Sequence, residues 1–248
     1  MVREIFLSEE NGMNNDLTQR PEKLEDQRTK NARMTRKLAV LGILTAMSAL
    51  LMYLEVSLPL MPAFLKFDLS ELPVMIGAFA YGPVSAIAIE LVKNLIHLPN
   101  SSTAGVGQLA NFAAGVLFAG SAGLVYRFIK TRKGAVLSLI IGTLVMTFGT
   151  SFLNYFVFLY LYGLWAGIPM ETIVGMATEM NPKVADRETL ILWAFVPFNL
   201  FKGAVISALT YIVYKPISMF IHKSPSVCQT KSDETEVDAA EISESDRQ

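Results

Sequence analysis

Two side chains in an otherwise apolar stretch carry the first chemical signal. Lys202 interrupts residues 191–214, and Asn199 lies three positions before it, so a helix carries both on one face. An ammonium inside a bilayer costs on the order of 2.5–3.5 kcal/mol on insertion scales, so it must face a partner or a cavity. Two readings stand for Lys202: it pairs with an acid or carbonyl of its own bundle, or it donates to a bound ligand. Glu90, Lys93 and Asn94 form a second polar face at i, i+3 and i+4. There an internal Glu90–Lys93 ion pair and a ligand contact are both open. Asn154, Gln108 and Asn111 add neutral amides, each suited to an interhelical hydrogen bond or to a ligand. Such a set recognises a molecule with carbonyls and N–H groups.

Catalytic chemistry finds no comparable support. Ala119-Gly120-Ser121-Ala122-Gly123 has a nucleophile-elbow outline, yet it lies within an apolar run, and the two histidines are His97 and His222. His222 lies beyond the last apolar segment, and His97 is expected at the membrane interface. No Gly-x-x-x-x-Gly-Lys-Ser/Thr loop is present to cradle a nucleotide, and no His/Cys/Asp cluster offers a metal site. The chain is therefore expected to be no enzyme, to carry no cofactor and to hydrolyse no ATP by itself.

The elements that must hold these residues are membrane spans. Of 248 residues, 52% are hydrophobic and 17% charged, and the mean hydropathy is +0.41, outside the usual range of a soluble domain. Residues 1–37 hold 15 of the 43 charges, residues 215–248 hold 11, and the block between holds 17. This predicts an all-α membrane protein: a polar N-terminal tail over 1–37, a six-helix domain over 38–214, and a disordered C-terminal tail over 215–248, basic and then acidic. The N-terminal segment is too acidic, and lacks the apolar core, for a secretory signal. A net charge of −1 argues against nucleic-acid binding, and a single cysteine, Cys228, excludes an internal disulfide.

About 20 apolar residues cross a ~30 Å hydrocarbon core. The expected spans are 38–58, with Glu55 near its end; two short ones within 69–98 around Tyr81-Gly82-Pro83; 108–126; one inside 135–170; and 191–214. Basic clusters at Arg33, Arg36 and Lys37, at Arg127, Lys130, Arg132 and Lys133, and at Lys215 and Lys223 fall on one face only if the number of spans is even. That face is the cytoplasm, with both termini inside and residues 59–70, 98–107 and 163–190 outside.

The outer loop from Pro59 to Ser70 is stiffened by Pro59 and Pro62 and carries Phe64 and Phe67. Asp68 or Ser70 suits the N-cap of the next span, whereas the two aromatics suit a lid over a flat apolar ligand. Gly42 with Ala46, and Thr45 with Ala49, form small-residue pairs at four-residue spacing in the first span. Close packing inside the bundle and docking of another subunit are the two uses of such a face.

The ordered segments Phe64-Leu65-Lys66-Phe67-Asp68-Leu69-Ser70-Glu71-Leu72-Pro73, Ile76-Gly77-Ala78-Phe79, Tyr81-Gly82-Pro83, Glu90-Leu91-Val92-Lys93-Asn94-Leu95 and Thr103-Ala104-Gly105-Val106-Gly107-Gln108-Leu109-Ala110-Asn111-Phe112 resemble the riboflavin-specific S components of energy-coupling factor (ECF) vitamin transporters. The resemblance covers roughly 38–214. It implies a six-helix subunit of the cell membrane that takes riboflavin from outside and associates with a transmembrane T subunit and two ATPases. It also implies a substrate pocket near the outer side, under the loop between the first two helices. Matched residue by residue, this pocket would use Asn199, Lys202 and Asn154, with Lys93, Asn94 and Gln108 as further positions. Phe64 and Phe67 would supply walls for the flavin ring, and Gly42 and Ala46 fill the four-residue spacing of the family's docking motif, glycine replacing one alanine. An S component for another small vitamin is the alternative, and an intramembrane enzyme or a structural membrane protein is disfavoured.

Overall fold

The computed structural model describes the backbone of residues 2–59, 61–62 and 64–222, and the side chains of 27–59, 61–62 and 64–213. Of the tail expected over 215–248, residues 223–248, Cys228 included, lie outside the described residues, as do the side chains of the first 26 residues. Among the described residues, one compact unit runs to Tyr211 and a second begins at Ile212, its described backbone helical to His222.

Seven helices make up the described chain. Helix α1 (Val2–Tyr53) leads into two short strands, β1 (Val56–Ser57) and β2 (Lys66–Phe67). Helices α2 (Glu71–Tyr81) and α3 (Pro83–His97) follow, then α4 (Val106–Phe128), α5 (Arg132–Trp165), α6 (Met170–Met180) and α7 (Arg187–Val213). The Gln27–Tyr53 part of α1 and helices α4, α5 and α7 are long and apolar enough to cross a membrane. With 11 and 15 residues, α2 and α3 reach only about 17 and 22 Å at ~1.5 Å per residue. The two short expected spans thus exist as helices, but neither has full crossing length by itself.

Local sequence explains the boundaries. Helix α1 ends at Tyr53, earlier than the expected 58, because Val56–Ser57 pairs antiparallel with Lys66–Phe67 in the register Val56↔Phe67. Glu55 therefore leaves the helix and pairs with Lys66 across the hairpin. Between α2 and α3 the chain reverses at Gly82, whose φ of 91° and ψ of 174° belong to glycine, and Pro83 opens the next helix, where a missing N–H costs nothing. Thr131 caps α5 by accepting from the Gly134 N–H at 3.0 Å, and Asp186 and Thr189 form a reciprocal capping box before α7. Helices α4, α5 and α7 each contain a π-turn, at Val116–Gly120, Asn154–Phe158 and Ile191–Phe195.

The short pair runs alongside α1. At one end the Lys37 ammonium lies 5.8 Å from the centre of the Tyr81 ring; at the other the Tyr53 and His97 rings are 4.8 Å apart. Around the bundle Ile43, Leu50, Leu95, Leu124, Ile140, Phe148, Phe152, Phe156 and Leu192 are exposed, an outward apolar face of the kind that membrane helices present. Where the loops gather, Leu65 joins Leu159, Ile173, Ala177, Val184, Leu190, Phe195 and Phe198 in a buried apolar cluster. This cluster docks α6 and the hairpin loop onto α5 and α7.

Candidate functional site

Lys202 is buried and its charge is answered. Its Nζ lies 3.0 Å from Asp68 Oδ2 and 3.4 Å from Asn111 Oδ1. The other Asp68 oxygen accepts the Ser70 N–H at 2.8 Å. Burial pushes the Asp68 carboxyl up, but the Lys202 and Lys93 ammoniums and the Ser70 and Lys202 hydrogen bonds outweigh it and hold the group at about 2. Leaving either member of such a pair alone in the interior would cost several kcal/mol, roughly 3–5 by analogy with other buried pairs. Asp68 thus prepares α2 through a turn at Ser70 and pairs with α7; Ser70 occupies the N-cap position without a side-chain cap bond.

A second buried ionic group lies behind the first. Lys93 Nζ contacts Glu71 Oε1 at 2.9 Å and Glu90 Oε1 at 2.8 Å, and donates to Ser70 Oγ at 2.9 Å. Asn94 donates to the Glu90 carboxylate at 3.2 Å, and Asn111 donates to Asn94 Oδ1 at 3.3 Å. The backbone of α4 comes close enough only because residue 115 is glycine: a Cβ there would occupy the Glu90 carboxylate. Asn111 therefore links the two ionic groups, and Lys93 and Asn94 are committed to protein partners.

In front of Lys202 is a cavity of about 230 Å³. Five of the eight sequence-predicted ligand residues line it: Phe64, Gln108, Asn154, Asn199 and Lys202. Lys93 and Asn94 lie outside its lining, and so does Phe67, whose ring rests 5.7 Å from that of Phe201. Phe64 sits 6.0 Å from Phe195, and Phe195, Phe198 and Tyr162 continue the aromatic wall. Asn154 donates to the Thr150 carbonyl at 2.8 Å and Asn199 to the Thr150 hydroxyl at 3.0 Å. These bonds fix both amides by their nitrogens; among the described residues no partner is bonded to either Oδ1. A π-turn begins at Asn154 and another ends at Phe195, so the helix register is offset beside the cavity.

Among the lining residues that escaped the sequence reading are Asp68, Thr150, Phe195 and His97. Asp68 is 134 positions from Lys202 and was legible only as a cap. Thr150 and Phe195 look like ordinary span residues. His97, expected at the interface, is instead 2% exposed and lines the cavity; its place four residues after Lys93, on the face shared with Glu90 and Asn94, was the signal that could have found it. A broader hollow of about 620 Å³ between α6 and the start of α7 is lined by Met170, Glu171, Val174, Thr178 and Arg187. It gathers none of the residues of the two buried ionic groups.

On α1, Gly42 and Ala46 are exposed, and a Cβ built on Gly42 meets nothing within 4 Å. Ala49 of the second small pair is buried in the bundle.

Comparison with known proteins gives concordant results. The family model for the substrate-specific component of ECF transporters matches residues 36–214. A riboflavin transporter, RibU, of Staphylococcus aureus is 32% identical over 200 residues, covering 81% of this chain and all of the relative. The riboflavin transporter FmnP of Bacillus subtilis is 32% identical over 196 residues, covering 77% of this chain and 96% of its own. A solved S component of a bacterial ECF transporter superposes with a TM-score of 0.60 at 32% identity, over 76% of this chain and 98% of that one.

Proposed function

The chain belongs to the substrate-specific components of ECF transporters, and we propose that it captures riboflavin at the outer face of the cell membrane for import driven by partner subunits. The observation that carries this reading is a paired ammonium, Lys202, facing a cavity beside two amides whose oxygens are free. A flavin presents a flat ring system with an imide edge, two carbonyls flanking an N–H, and a neutral polyol chain. Lys202 donates to an imide carbonyl, the free Oδ1 atoms of Asn199 and Asn154 accept the N–H, and Phe64, Phe195 and Phe198 enclose the ring. Because Asp68 already balances Lys202, the site suits a ligand without formal charge. At about 230 Å³ the cavity is below the ~300–1,000 Å³ of most small-molecule sites, so admitting a flavin requires its lining to open.

Binding, without chemical turnover, is the role of this subunit. The work of transport comes from a transmembrane T subunit and two ATPases, and Gly42 and Ala46 are the docking face, exposed on a helix that leaves space for a neighbour. Six crossings with both termini in the cytoplasm complete the arrangement, α2 and α3 supplying the second and third. The Lys37–Tyr81 and Tyr53–His97 contacts support this, since they match the two ends of the short pair to the two ends of the α1 span.

The visible absorption spectrum of the protein purified from cells supplied with riboflavin tests the reading. A bound yellow chromophore released on denaturation is expected; a colourless preparation that also fails to take up added riboflavin contradicts it.

A further inference from the structure

His97 closes α3 and turns its ring toward the cavity, held on one side by Tyr53, whose hydroxyl donates to the Ile96 carbonyl at 3.3 Å. Gln108 Nε2 lies 3.2 Å from His97 Nδ1. His97 Nε2 and Gln108 Oε1 are both buried without a hydrogen-bond partner, and both residues line the cavity. Two orphaned polar atoms side by side are costly unless something completes them.

The chemistry of what completes them follows from the pair. With the amide N–H donating to Nδ1, the neutral ring carries its proton on Nε2, and Gln108 keeps its oxygen as a free acceptor. With the amide turned over, Nδ1–H donates to Oε1, leaving Nε2 as acceptor and the amide NH2 as donor. Either way the pair keeps one unsatisfied donor and one unsatisfied acceptor on two residues that line the cavity, the complement of a hydroxyl, which accepts and donates at once. Asn100 and Thr103 line the same end and add neutral groups of the same dual character.

Position supports the same ligand. Gln108 and Asn111 lie one turn apart on α4, and Asn111 is the residue that touches Lys202. The His97–Gln108 pair therefore sits about 5 Å along the helix axis from the Lys202 end, toward the start of α4. We infer that His97 and Gln108 form a second polar subsite that reads a hydroxyl of the ligand's polyol chain, making His97 a specificity-determining residue. The assignment rests on the flavin reading above.

Equilibrium titrations of the whole purified protein with riboflavin and with lumiflavin, which has the same ring but a methyl in place of the polyol, separate the two ideas. His97→Leu should bind riboflavin roughly tenfold more weakly, the loss of about one hydrogen bond, and bind lumiflavin as the unsubstituted protein does. His97→Asn, which restores a donor and an acceptor, should recover part of the riboflavin affinity. Equal losses for both ligands, or no loss for riboflavin, would overturn the subsite. So would an unsubstituted protein that binds lumiflavin as tightly as riboflavin. If the unsubstituted protein binds neither flavin, it is the flavin reading that fails.

Discussion

The Asp68–Lys202 pair joins a loop residue and a helix residue that are far apart in the chain, and the proposed ligand site depends on both. Asp68→Asn should lower stability in detergent by several kcal/mol, about 3–5 for an orphaned interior charge, whereas Asp68→Asn with Lys202→Met should recover much of that loss; thermal unfolding of the three proteins measures it. The pH dependence has a definite sign. The Asp68 carboxyl is held at about 2 in the fold against 3.8 for the free group, by Lys202, Lys93 and Ser70 together against burial, so the net contribution of the ionised carboxylate, on the order of 2 kcal/mol, is present above pH 4 and lost as pH falls through 2. Lowering the pH from 7 to 5 should therefore leave this part of the stability untouched, and a loss of stability over that interval that Asp68→Asn abolishes would contradict the pairing. Lys202, Asn199 and Asn154 were legible in the sequence because polar side chains stand out in apolar spans. Asp68 was not, because in a loop before a helix an aspartate has a sufficient local use, and no local pattern points 134 residues ahead. At Lys93 the sequence left an ion pair with Glu90 and a ligand contact both open; the ion pair is present, but Glu71 and Ser70, which add to it, come from another element and were not legible.

At the scale of elements, the reversal between α2 and α3 depends on Gly82, at φ 91° and ψ 174°. A Cβ there has open space around it, so the penalty for Gly82→Ala is backbone strain alone, about 1–3 kcal/mol. A lower melting temperature with unchanged riboflavin affinity is expected, measured by thermal unfolding beside a binding titration. The long spans were legible from hydropathy and length, and the reversal from Tyr81-Gly82-Pro83. The end of α1 was not, since nothing in residues 54–58 announces pairing with residues 66–67; apolarity alone carries the helix five residues too far. Helix α6 fell within a segment expected only as an outer loop, because its apolar face is narrow: Ile173 and Ala177 are buried one turn apart, while Met176 and Met180 stay exposed.

Across the whole molecule, the proposed capture site and the proposed docking face occupy separate regions of one bundle. Gly42→Leu should therefore leave riboflavin binding by the isolated protein near normal, since nothing lies within 4 Å of the new Cβ, yet abolish uptake in cells and recovery of partner subunits in a pull-down. Parallel loss of binding would mean that the pair packs inside the bundle, and intact uptake would move the docking face elsewhere. Capture presupposes that the cavity in front of Lys202 holds the vitamin. Riboflavin fluorescence quenching, titrated with the unsubstituted protein and with Lys202→Ala, tests this most directly. Saturable quenching at one flavin per chain is expected, weakened roughly ten- to a hundredfold in the variant by loss of a charge-assisted hydrogen bond of about 1.5–3 kcal/mol. Equal affinity in the two proteins, with the variant folded, would contradict the account.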